Sequence, residues 1–392
     1  MVRLALELVE DVRAYAVAAW NRFGPALGVT GDQDHADTGS RDLAARLVER
    51  LHPPRMKLRL KEVLDETPST RTLRFERTDG PLPPFRAGQY VNLFVDVGGV
   101  KTSRPFSISS APGEEFVDLT VRRRDGGFVT AHLFNGPQVG EEFVSSAPAG
   151  WFCHEPLIDG DDLVFIAGGS GVTPFISMLR DFERRRPGVR VRLLYGTRTM
   201  DDVPFADELL RLEGALKGLK VTHVYSEASR GYRGAKGLLD AKRIGIHVPV
   251  VEGRRFFLCG PNPMLDLCRT ALAQLGVPAY RVRTELYGPP DDPTLDPDWP
   301  DDVAPADVFP VDIAGGRRVM AKAEESLLVA FERHGVVVPS ICRSGECSAC
   351  RMQVLKGRVF MPGGVGVRES DRANGFVHAC VAYPVSPLTV KL

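Results

Sequence analysis

The strongest constraint in this chain is a set of four cysteines near its C-terminus. Three of them lie in the run Cys342-Arg-Ser-Gly-Glu-Cys347-Ser-Ala-Cys350, separated by four residues and then two, and Cys380 follows after a long gap. Thiolate sulfur binds iron well, and this spacing is typical of a plant-type [2Fe–2S] cluster. The alternative is a structural zinc site, but zinc ligands more often come as paired short-spaced motifs. We therefore expect an iron–sulfur cluster, which carries one electron at a time.

Two neighbours of the cysteines bear on this interpretation. Gly345 permits the tight loop that wraps a cluster, and backbone N–H groups in that loop can tune the cluster potential. His378 raises the question of a mixed His/Cys site. Because four cysteines already complete the ligand set, we expect His378 to be a packed or surface residue.

Composition and charge exclude several classes of protein. The chain has 392 residues, 43% hydrophobic and 26% charged, which is ordinary for a globular protein of two or three domains. Fifty basic residues balance fifty acidic ones, so the net charge does not indicate nucleic-acid binding. No apolar run reaches the roughly 18–20 residues of a membrane span, and acidic residues interrupt the N-terminal apolar positions, against a secretory signal. With the other three cysteines scattered, we expect a cytoplasmic protein.

The local patterns of apolar, polar and turn-forming residues predict four structured regions and a linker. Residues 1–55 have helical periodicity and predict helices that cap a neighbouring domain, or alternatively a peripheral docking helix. Residues 56–155 hold short β-rich runs and predict an antiparallel β-barrel or sandwich. Residues 156–288 alternate strands with helices and predict an α/β domain with a parallel sheet. Residues 289–306 are rich in Pro and Asp and predict a stiff, solvated linker, and residues 307–392 predict a small mixed α+β domain.

Individual elements follow from the same patterns. The expected strands of the first β-rich region are 71–75, 90–97, 104–109, 116–122 and 142–145. The expected strands of the α/β region are 163–167, 191–195, 221–225 and 256–259, and its expected helices are 175–185, 205–216 and 264–275.

A glycine-rich run joins an apolar strand to a helix in the α/β region. It reads Gly168-Gly169-Ser170-Gly171-Val172-Thr173-Pro174. Glycines let a diphosphate approach the backbone, and the following helix offers free N–H groups, with Thr173 suited to the N-cap and Pro174 to the first helical position. Pro174 stands where the common dinucleotide fingerprint has its third glycine. From the residues alone, a plain strand-to-helix turn and a nucleotide site are about equally supported.

The run Arg104-Pro105-Phe106-Ser107 lies in the β-rich region. At this spacing the cation suits a phosphate, the aromatic ring suits stacking on a flat ligand ring, and the hydroxyl suits a hydrogen bond to a nitrogen of that ring. Alternation along a strand puts Arg104 and Phe106 on one face and Ser107 on the other, unless the strand bends. From the spacing alone, an ordinary strand with a surface arginine is the more economical interpretation.

The combination of these motifs changes that balance. A barrel with Arg-Pro-Phe-Ser, followed about 60 residues later by the glycine-rich loop, resembles the ferredoxin–NADP reductase superfamily. With the C-terminal cysteines, residues 57–392 resemble the reductase components that serve oxygenases, hydroxylases and desaturases. The resemblance implies a flavin-binding β-barrel, a nicotinamide-nucleotide α/β domain and a C-terminal, β-grasp-like ferredoxin domain.

The resemblance also implies roles for residues of the flavin site. Arg104 would contact the flavin phosphates, Phe106 would lie against the flavin in place of the family's usual Tyr, and Ser107 would hydrogen-bond near the reactive N5. Gly127 and Thr130 match the second phosphate contact made by FAD-binding members. We therefore expect FAD rather than FMN; a helix cap is the alternative role for Thr130.

Further matches point to the nicotinamide site. Gly168, Gly169, Gly171 and Thr173 match the pyridine-nucleotide loop of the family. Cys259-Gly260-Pro261 matches a second loop, which would put Cys259 beside the nicotinamide, although alone it predicts only a buried thiol at a strand end. Glu285 and Tyr287 match the acidic–x–aromatic end of the domain, near the flavin, where Tyr287 would have to move before nicotinamide stacks. The alternative for this segment is a strand end running into the linker.

The choice between NADH and NADPH is open at this stage. NADPH-binding relatives often have Ser-Arg where this chain has Ser226-Glu227, and Glu227 suits a ribose diol better than a 2′-phosphate. Arg198, Arg230 and Arg233 lie close in sequence and could supply positive charge. The pattern favours NADH weakly.

Together these expectations describe an electron-transfer enzyme. Hydride would pass from NAD(P)H to flavin N5, with Ser107, Cys259 and Glu285 as the catalytic residues, and single electrons would then leave through the cluster. The acceptor would be a partner metalloprotein such as an oxygenase, hydroxylase or desaturase. Two alternatives are a non-catalytic relay or redox-sensing subunit and an adaptor in which residues 1–55 tether the reductase to a partner or membrane.

Overall fold

The computed structural model describes residues 55–124, 126–186, 188–290, 292–363 and 366–392. The helices predicted in residues 1–55 lie outside the described residues, except for Arg55. Across the described ranges, no helix combines the length and the apolar character that a membrane crossing requires.

The N-terminal part of the described chain forms a six-stranded antiparallel sheet. Its strands are β1 (Met56–Thr67), β2 (Thr70–Arg77), β3 (Tyr90–Val97), β4 (Val100–Ser107), β5 (Phe116–Arg122) and β6 (Glu142–Ser145). They pair in the order β4-β3-β6-β1-β2-β5. An isolated bridge between Ile108 and Leu119 joins the two outer strands, so the sheet closes into the predicted barrel. Helix α1 (Phe128–Asn135) follows β5.

Strand β1 was absent from the sequence-based prediction. Met56, Leu58 and Leu60 have no exposed surface, whereas Lys57 and Arg59 between them are exposed. This period of two is that of a strand with one face on the core. Because charged residues alternate with the apolar ones, the segment contains no continuous β-rich run that would predict this strand.

The second part of the described chain is an all-parallel sheet. Its strands are β7 (Asp162–Gly168), β8 (Arg190–Thr197), β9 (Leu219–Tyr225), β10 (Ala235–Lys236), β11 (Arg255–Cys259) and β12 (Val282–Glu285), in the order β10-β9-β8-β7-β11-β12. Its helices are α2 (Pro156–Asp159), α3 (Thr173–Arg185), α4 (Ala206–Ala215), α5 (Ala241–His247) and α6 (Asn262–Gln274). Residues 163–167 have no exposed surface, as expected for a strand covered on both faces. The predicted α/β fold is confirmed.

The C-terminal part is an α+β unit, as predicted. Its strands are β13 (Val308–Ile313), β14 (Arg317–Lys322), β15 (Arg351–Lys356), β16 (Val359–Phe360), β17 (Phe376–His378), β18 (Tyr383–Pro384) and β19 (Leu388–Lys391). Five pair in the order β14-β13-β19-β15-β17, and β16 pairs with β18. Helix α7 (Leu327–Arg333) buries Leu327, Leu328 and Phe331 in the core that this sheet shares, and α8 (Glu369–Ala373) precedes β17.

The Pro- and Asp-rich segment is less solvated than predicted. Trp299 packs edge-on against Phe360, with ring centroids 5.0 Å apart, and its indole N–H donates to the carbonyl of Val303. Val303 is itself buried beside Tyr383. The second half of the segment is therefore less solvated than the predicted stiff linker, because two apolar side chains, Trp299 and Val303, anchor it to the C-terminal domain.

A buried carboxylate fastens the connection between the barrel and the parallel sheet. Asp159, in α2, has a fully buried side chain and forms ion pairs with Arg255 of β11 at 3.1 Å and Arg283 of β12 at 3.0 Å. Arg283 also donates to the carbonyl of Cys153 in the connecting segment. These contacts hold the connection against the edge of the sheet that carries β12.

We expect Asp159→Ala to destabilise the protein strongly. Removing one partner of a buried ion pair leaves the other charge uncompensated, which costs about 3–5 kcal/mol. Urea unfolding followed by circular dichroism measures the loss, with Asp201→Ala, at an exposed position, as the control. Equal stability of the two variants would contradict this account of Asp159.

Candidate functional site

The glycine-rich loop lies at the C-terminal end of β7. A 3-10 turn, Gly169–Val172, carries the chain into α3, and Gly169 has φ +52°, in the region that favours glycine. A Cβ on Gly171 would overlap the carbonyl oxygen of Cys259. The hydroxyl of Tyr195 donates to the carbonyl of Gly169 at 3.0 Å. This backbone-lined cradle at a helix start fits a nucleotide diphosphate.

The Cys259-Gly260-Pro261 turn after β11 forms the opposite wall. A Cβ on Gly260 would come within 3.1 Å of the Cα of Gly168, so both positions need glycine for this close approach. Met264 lies against both glycines. The structure thus brings together the residues predicted for the pyridine-nucleotide site, namely Gly168, Gly169, Gly171, Gly260 and Pro261. Their contact with the nucleotide stays a prediction.

Thr173 does not cap α3 as predicted. The N-cap is Val172, Thr173 is the first helical residue and Pro174 the second. The reason is the preceding 3-10 turn, which extends the helical path backwards, so the Thr173 hydroxyl donates to the carbonyl of Ser170 at 2.9 Å.

The hydroxyl of Tyr287 joins the two predicted half-sites. It lies 2.6 Å from Oγ of Ser107, at the end of β4, and 3.2 Å from Oγ1 of Thr173, at the start of α3. It also shares a hydrogen bond with the thiol of Cys259. One phenol therefore links the barrel, the glycine-rich loop and the end of β11. The structure brings together residues that lie far apart in sequence and that belong to the set predicted around the flavin–nicotinamide junction; their roles there stay predictions.

Burial keeps the acidic groups at this junction neutral. Desolvation raises the pKa of the Cys259 thiol well above its ordinary value, so Cys259 is a thiol rather than a thiolate. Burial, followed by the charges of Glu346 and Cys342, raises the pKa of Glu285 from 4.5 to about 8. Glu285 is therefore protonated at neutral pH and can donate a hydrogen bond or a proton.

The side chain of Arg104 turns towards the C-terminal domain. Its guanidinium donates to Oγ1 of Thr102 at 2.7 Å and to the carbonyl of Ser103 at 2.8 Å. Burial, and then the nearby charge of Arg343, lowers the pKa of Arg104 to about 10, so it stays cationic at neutral pH. Phe106 is half-buried against the barrel core. The flavin contacts predicted for both residues stay predictions.

Thr130 lies on the first turn of α1 with an unsatisfied hydroxyl. Its Oγ1 is buried and has no hydrogen-bond partner within the described ranges. The N-cap of α1 is Gly127, which makes no side-chain cap bond, so the structure does not support Thr130 as a helix cap. A Cβ on Gly127 would overlap the Thr130 hydroxyl, so glycine keeps this approach open. An orphan hydroxyl at a helix start fits a phosphate oxygen, in agreement with FAD.

The four cysteines of the C-terminal domain lie near one another, and their joint binding of a cluster stays a prediction. The Cys342 sulfur lies within hydrogen-bonding reach of the Cys347 and Cys380 sulfurs, and Cys380 within reach of Cys350. Only Cys347 of the four is exposed. A set of four thiols with this sequence spacing fits a [2Fe–2S] cluster.

Backbone geometry around the cysteines suits a cluster. Backbone N–H groups point at the sulfurs, from Cys347 to Cys342 at 3.3 Å and from Ser344 to Cys342 at 3.4 Å. Gly345 has φ +82°, as the tight loop requires. His378 is packed, as expected, and its Nδ1 lies 2.7 Å from the carbonyl of Gly345, so it holds the loop rather than joining the ligand set.

The cysteine loop packs directly on the barrel. The side-chain amide of Asn92, in β3, donates to the carbonyl of Ser340 at 3.0 Å, two residues before Cys342. Burial, followed by the nearby Cys342, raises the pKa of the hydroxyl of Tyr90, which lies on the same strand. Strand β3, which pairs with the strand that carries the predicted flavin residues, thus contacts the cluster loop.

Sequence reasoning missed two polar anchors of this arrangement. Asn92 is the buried polar residue of the strand Tyr90–Val97, and an amide between apolar neighbours in such a strand is a usable signal. Asp202 accepts hydrogen bonds from Thr67 at 2.5 Å and Ser69 at 2.7 Å and pairs with Arg122. It ties the loop after β8 to the barrel, and only the fold reveals it.

Family models match the three parts in order. The oxidoreductase FAD-binding domain matches residues 57–154, the oxidoreductase NAD-binding domain residues 165–270 and the 2Fe-2S iron-sulfur cluster binding domain residues 311–385. These matches cover more than half of the chain.

Curated relatives match this chain over most of their own length. The glycine betaine monooxygenase reductase subunit of Chromohalobacter salexigens is 29% identical, over 86% of this chain and 95% of that protein. The ferredoxin reductase component of 3-ketosteroid-9-alpha-monooxygenase from Mycobacterium tuberculosis is 32% identical, over 84% of this chain and 94% of that protein.

Solved structures agree at the level of the fold. Phthalate dioxygenase reductase, described as a modular structure for electron transfer from pyridine nucleotides to [2Fe–2S], superposes with a TM-score of 0.65 at 21% identity, covering 86% of this chain and 98% of that one. The protein is an oxidoreductase that carries electrons from a nicotinamide nucleotide through FAD and a [2Fe–2S] cluster. The chain belongs to the ferredoxin–NADP reductase superfamily, among its members with a C-terminal plant-type ferredoxin domain.

Proposed function

We propose that this chain is the reductase component of an oxygenase system and delivers electrons from NADH to a separate oxygenase. The observation that carries the proposal is the meeting of three sites, where Tyr287 links Ser107 to Thr173 and Asn92 holds the cysteine loop on the same barrel. The named functions of the relatives, reductases of glycine betaine and ketosteroid monooxygenases, supply the oxygenase as acceptor. The domain boundaries and the cytoplasmic location stay predictions.

The residues at the junction have distinct proposed roles. A flavin held between these residues would supply the conversion between two-electron and one-electron chemistry. Ser107 orients the flavin by hydrogen bonding, and Cys259 offers the nicotinamide an uncharged wall. Tyr287 occupies the space between Ser107 and Thr173 and must withdraw when the nicotinamide enters. Glu285, neutral at pH 7, holds a proton beside the flavin.

The structure favours NADH over NADPH as donor. Glu227 follows the end of β9, where the ribose of the nucleotide is expected. Glu227 forms an ion pair with Arg198 at 3.1 Å, so the positive charge of Arg198 is already paired with a carboxylate. A 2′-phosphate would meet the carboxylate of Glu227 there, and we therefore propose NADH as the donor.

Replacing one cluster ligand tests the function. We expect Cys380→Ser to lose the visible and EPR signals of the cluster, to retain NADH-dependent ferricyanide reduction and to lose cytochrome c reduction, because ferricyanide also accepts electrons from the flavin. Cys268→Ala, at a buried cysteine outside the ligand set, should keep both activities. NADPH should support lower rates than NADH.

Two results would contradict the proposal. NADH oxidation by the unaltered protein at the free-flavin background would favour the non-catalytic relay. Retention of the cluster signals in Cys380→Ser would remove Cys380 from the ligand set.

We expect Thr130→Val to weaken FAD binding about tenfold, the factor for losing one hydrogen bond to a charged group. The hydroxyl is buried and unsatisfied without a ligand, so the valine should not destabilise the protein. Fluorescence titration of the flavin-free protein measures the change. FMN, which lacks the second phosphate, is the matched control and should bind both proteins equally; equal loss for FMN would contradict the role of Thr130.

The raised pKa of Glu285 predicts a pH effect on stability. Because the folded protein binds this proton more tightly than the unfolded chain, Glu285 stabilises the fold fully below pH 4.5, and the stabilisation declines as the pH rises towards 8. Glu285→Gln removes the titration. Over this range, melting temperatures of the unaltered protein should fall relative to those of the variant, whereas parallel curves would contradict a raised pKa.

A further inference from the structure

A buried glutamate connects the cysteine loop to the flavin barrel. Glu332, on helix α7 of the C-terminal domain, accepts from both terminal nitrogens of Arg343, at 2.7 and 2.8 Å. Its Oε2 also accepts from Oγ1 of Thr102, on strand β4 of the barrel, at 2.9 Å. One carboxylate is therefore shared between an arginine next to the ligand Cys342 and a hydroxyl of the neighbouring domain.

The contact is well shielded from solvent. The side chains of Arg343 and Glu332 are only 5% and 11% exposed. Two parallel N–H···O bonds fix the relative orientation of guanidinium and carboxylate, and low exposure protects the pair from screening by solvent and salt. Exposed ion pairs contribute little, but this pair has the geometry and burial of one that positions its neighbours.

The backbone of the cysteine loop depends on this arginine. Arg343 has φ +57°, a left-handed conformation that a non-glycine residue adopts only when its surroundings hold it there. Its bidentate contact with Glu332 supplies such a restraint directly beside Cys342. Because one peptide bond joins Arg343 to Cys342, the position of Glu332 also constrains this predicted cluster ligand.

On the barrel side, the contact reaches the flavin motif. Thr102 donates to Glu332 and accepts from Arg104 at 2.7 Å, so the hydrogen bonds run from Arg104 through Thr102 and Glu332 to Arg343. Asn92, on the neighbouring strand β3, makes the second bond from the barrel to this loop. Both bonds fall where the barrel and the cysteine loop meet.

We propose that Glu332 is a positioning residue that docks the ferredoxin domain on the flavin barrel and so sets the distance between flavin and cluster. The inference rests on the proposed function, because the distance matters only if electrons cross this interface. Electron-transfer rates fall steeply with distance, so loosening the contact slows the flavin-to-cluster step. The step from NADH to flavin depends on the junction where Tyr287 contacts Ser107 and Thr173, which Glu332 does not touch, and it keeps its rate.

Two variants test the role of Glu332 from opposite sides. Glu332→Gln removes the charge while keeping the shape. Thr102→Val removes the bond between the domains and the bond that Thr102 accepts from Arg104, but it leaves the Glu332–Arg343 pair and the bond from Arg104 to the carbonyl of Ser103 intact. Thr102→Ser retains the hydroxyl and is the matched control for the barrel side. Glu325→Gln is the control for α7, since Glu325 pairs with Arg333 inside the C-terminal domain.

Two measurements distinguish these two variants from their controls. In anaerobic stopped-flow experiments, Glu332→Gln and Thr102→Val should slow cluster reduction about tenfold or more, the effect of one lost charge-assisted bond on docking, with flavin reduction by NADH unchanged. In hydrogen–deuterium exchange, residues 100–104 and 339–344 should exchange faster in these two variants and not in the controls.

The results that would overturn the inference are specific. Unchanged cluster reduction and unchanged exchange in Thr102→Val would mean that the contact does not dock the domains, even if Glu332→Gln misfolds. Slowing of flavin reduction and cluster reduction by the same factor would indicate a general structural role. If the unaltered protein takes no electrons from NADH, the proposed function fails, whereas the exchange comparison still decides whether Glu332 docks the domain.

Discussion

The hydroxyl of Tyr287 is the contact on which the arrangement of the reaction centre depends. A paired-electron donor and a one-electron acceptor can share one flavin only if the barrel and the nucleotide domain meet within a few ångströms. Tyr287 reaches Ser107 of the barrel at 2.6 Å and Thr173 of the nucleotide loop at 3.2 Å. The close approach of Gly171 to the carbonyl of Cys259 then determines how near the two nucleotide loops lie.

Low dielectric surroundings decide which groups at this centre carry charge. Burial keeps Glu285 protonated and Cys259 a thiol at neutral pH, so the junction presents hydrogen-bond donors rather than anions to an electron-rich ring. Two ion pairs lie at the borders of the domains, Asp159 with Arg283 and Glu332 with Arg343, and they hold the domains around the junction.

Sequence reasoning located the chemistry better than the contacts that position it. The cysteine spacing and the glycine-rich loop are local patterns, so the cluster and the three-domain order were predictable. Strand β1 was missed because charged residues interrupt its apolar alternation, and the packing of Trp299 was missed because a Pro- and Asp-rich composition masks one aromatic anchor. The hydrogen bond from Thr102 to Glu332 joins residues 230 positions apart in the sequence, and no local pattern predicts it.

The most direct test of the account is an anaerobic titration of the purified protein with NADH, followed by visible absorption and EPR spectroscopy. The account predicts that NADH bleaches the flavin bands and then produces the EPR signal of a reduced [2Fe–2S] cluster in the same molecule. Flavin that is reduced while the cluster stays oxidised, or protein that contains no iron, would contradict the claim that this chain joins the two carriers.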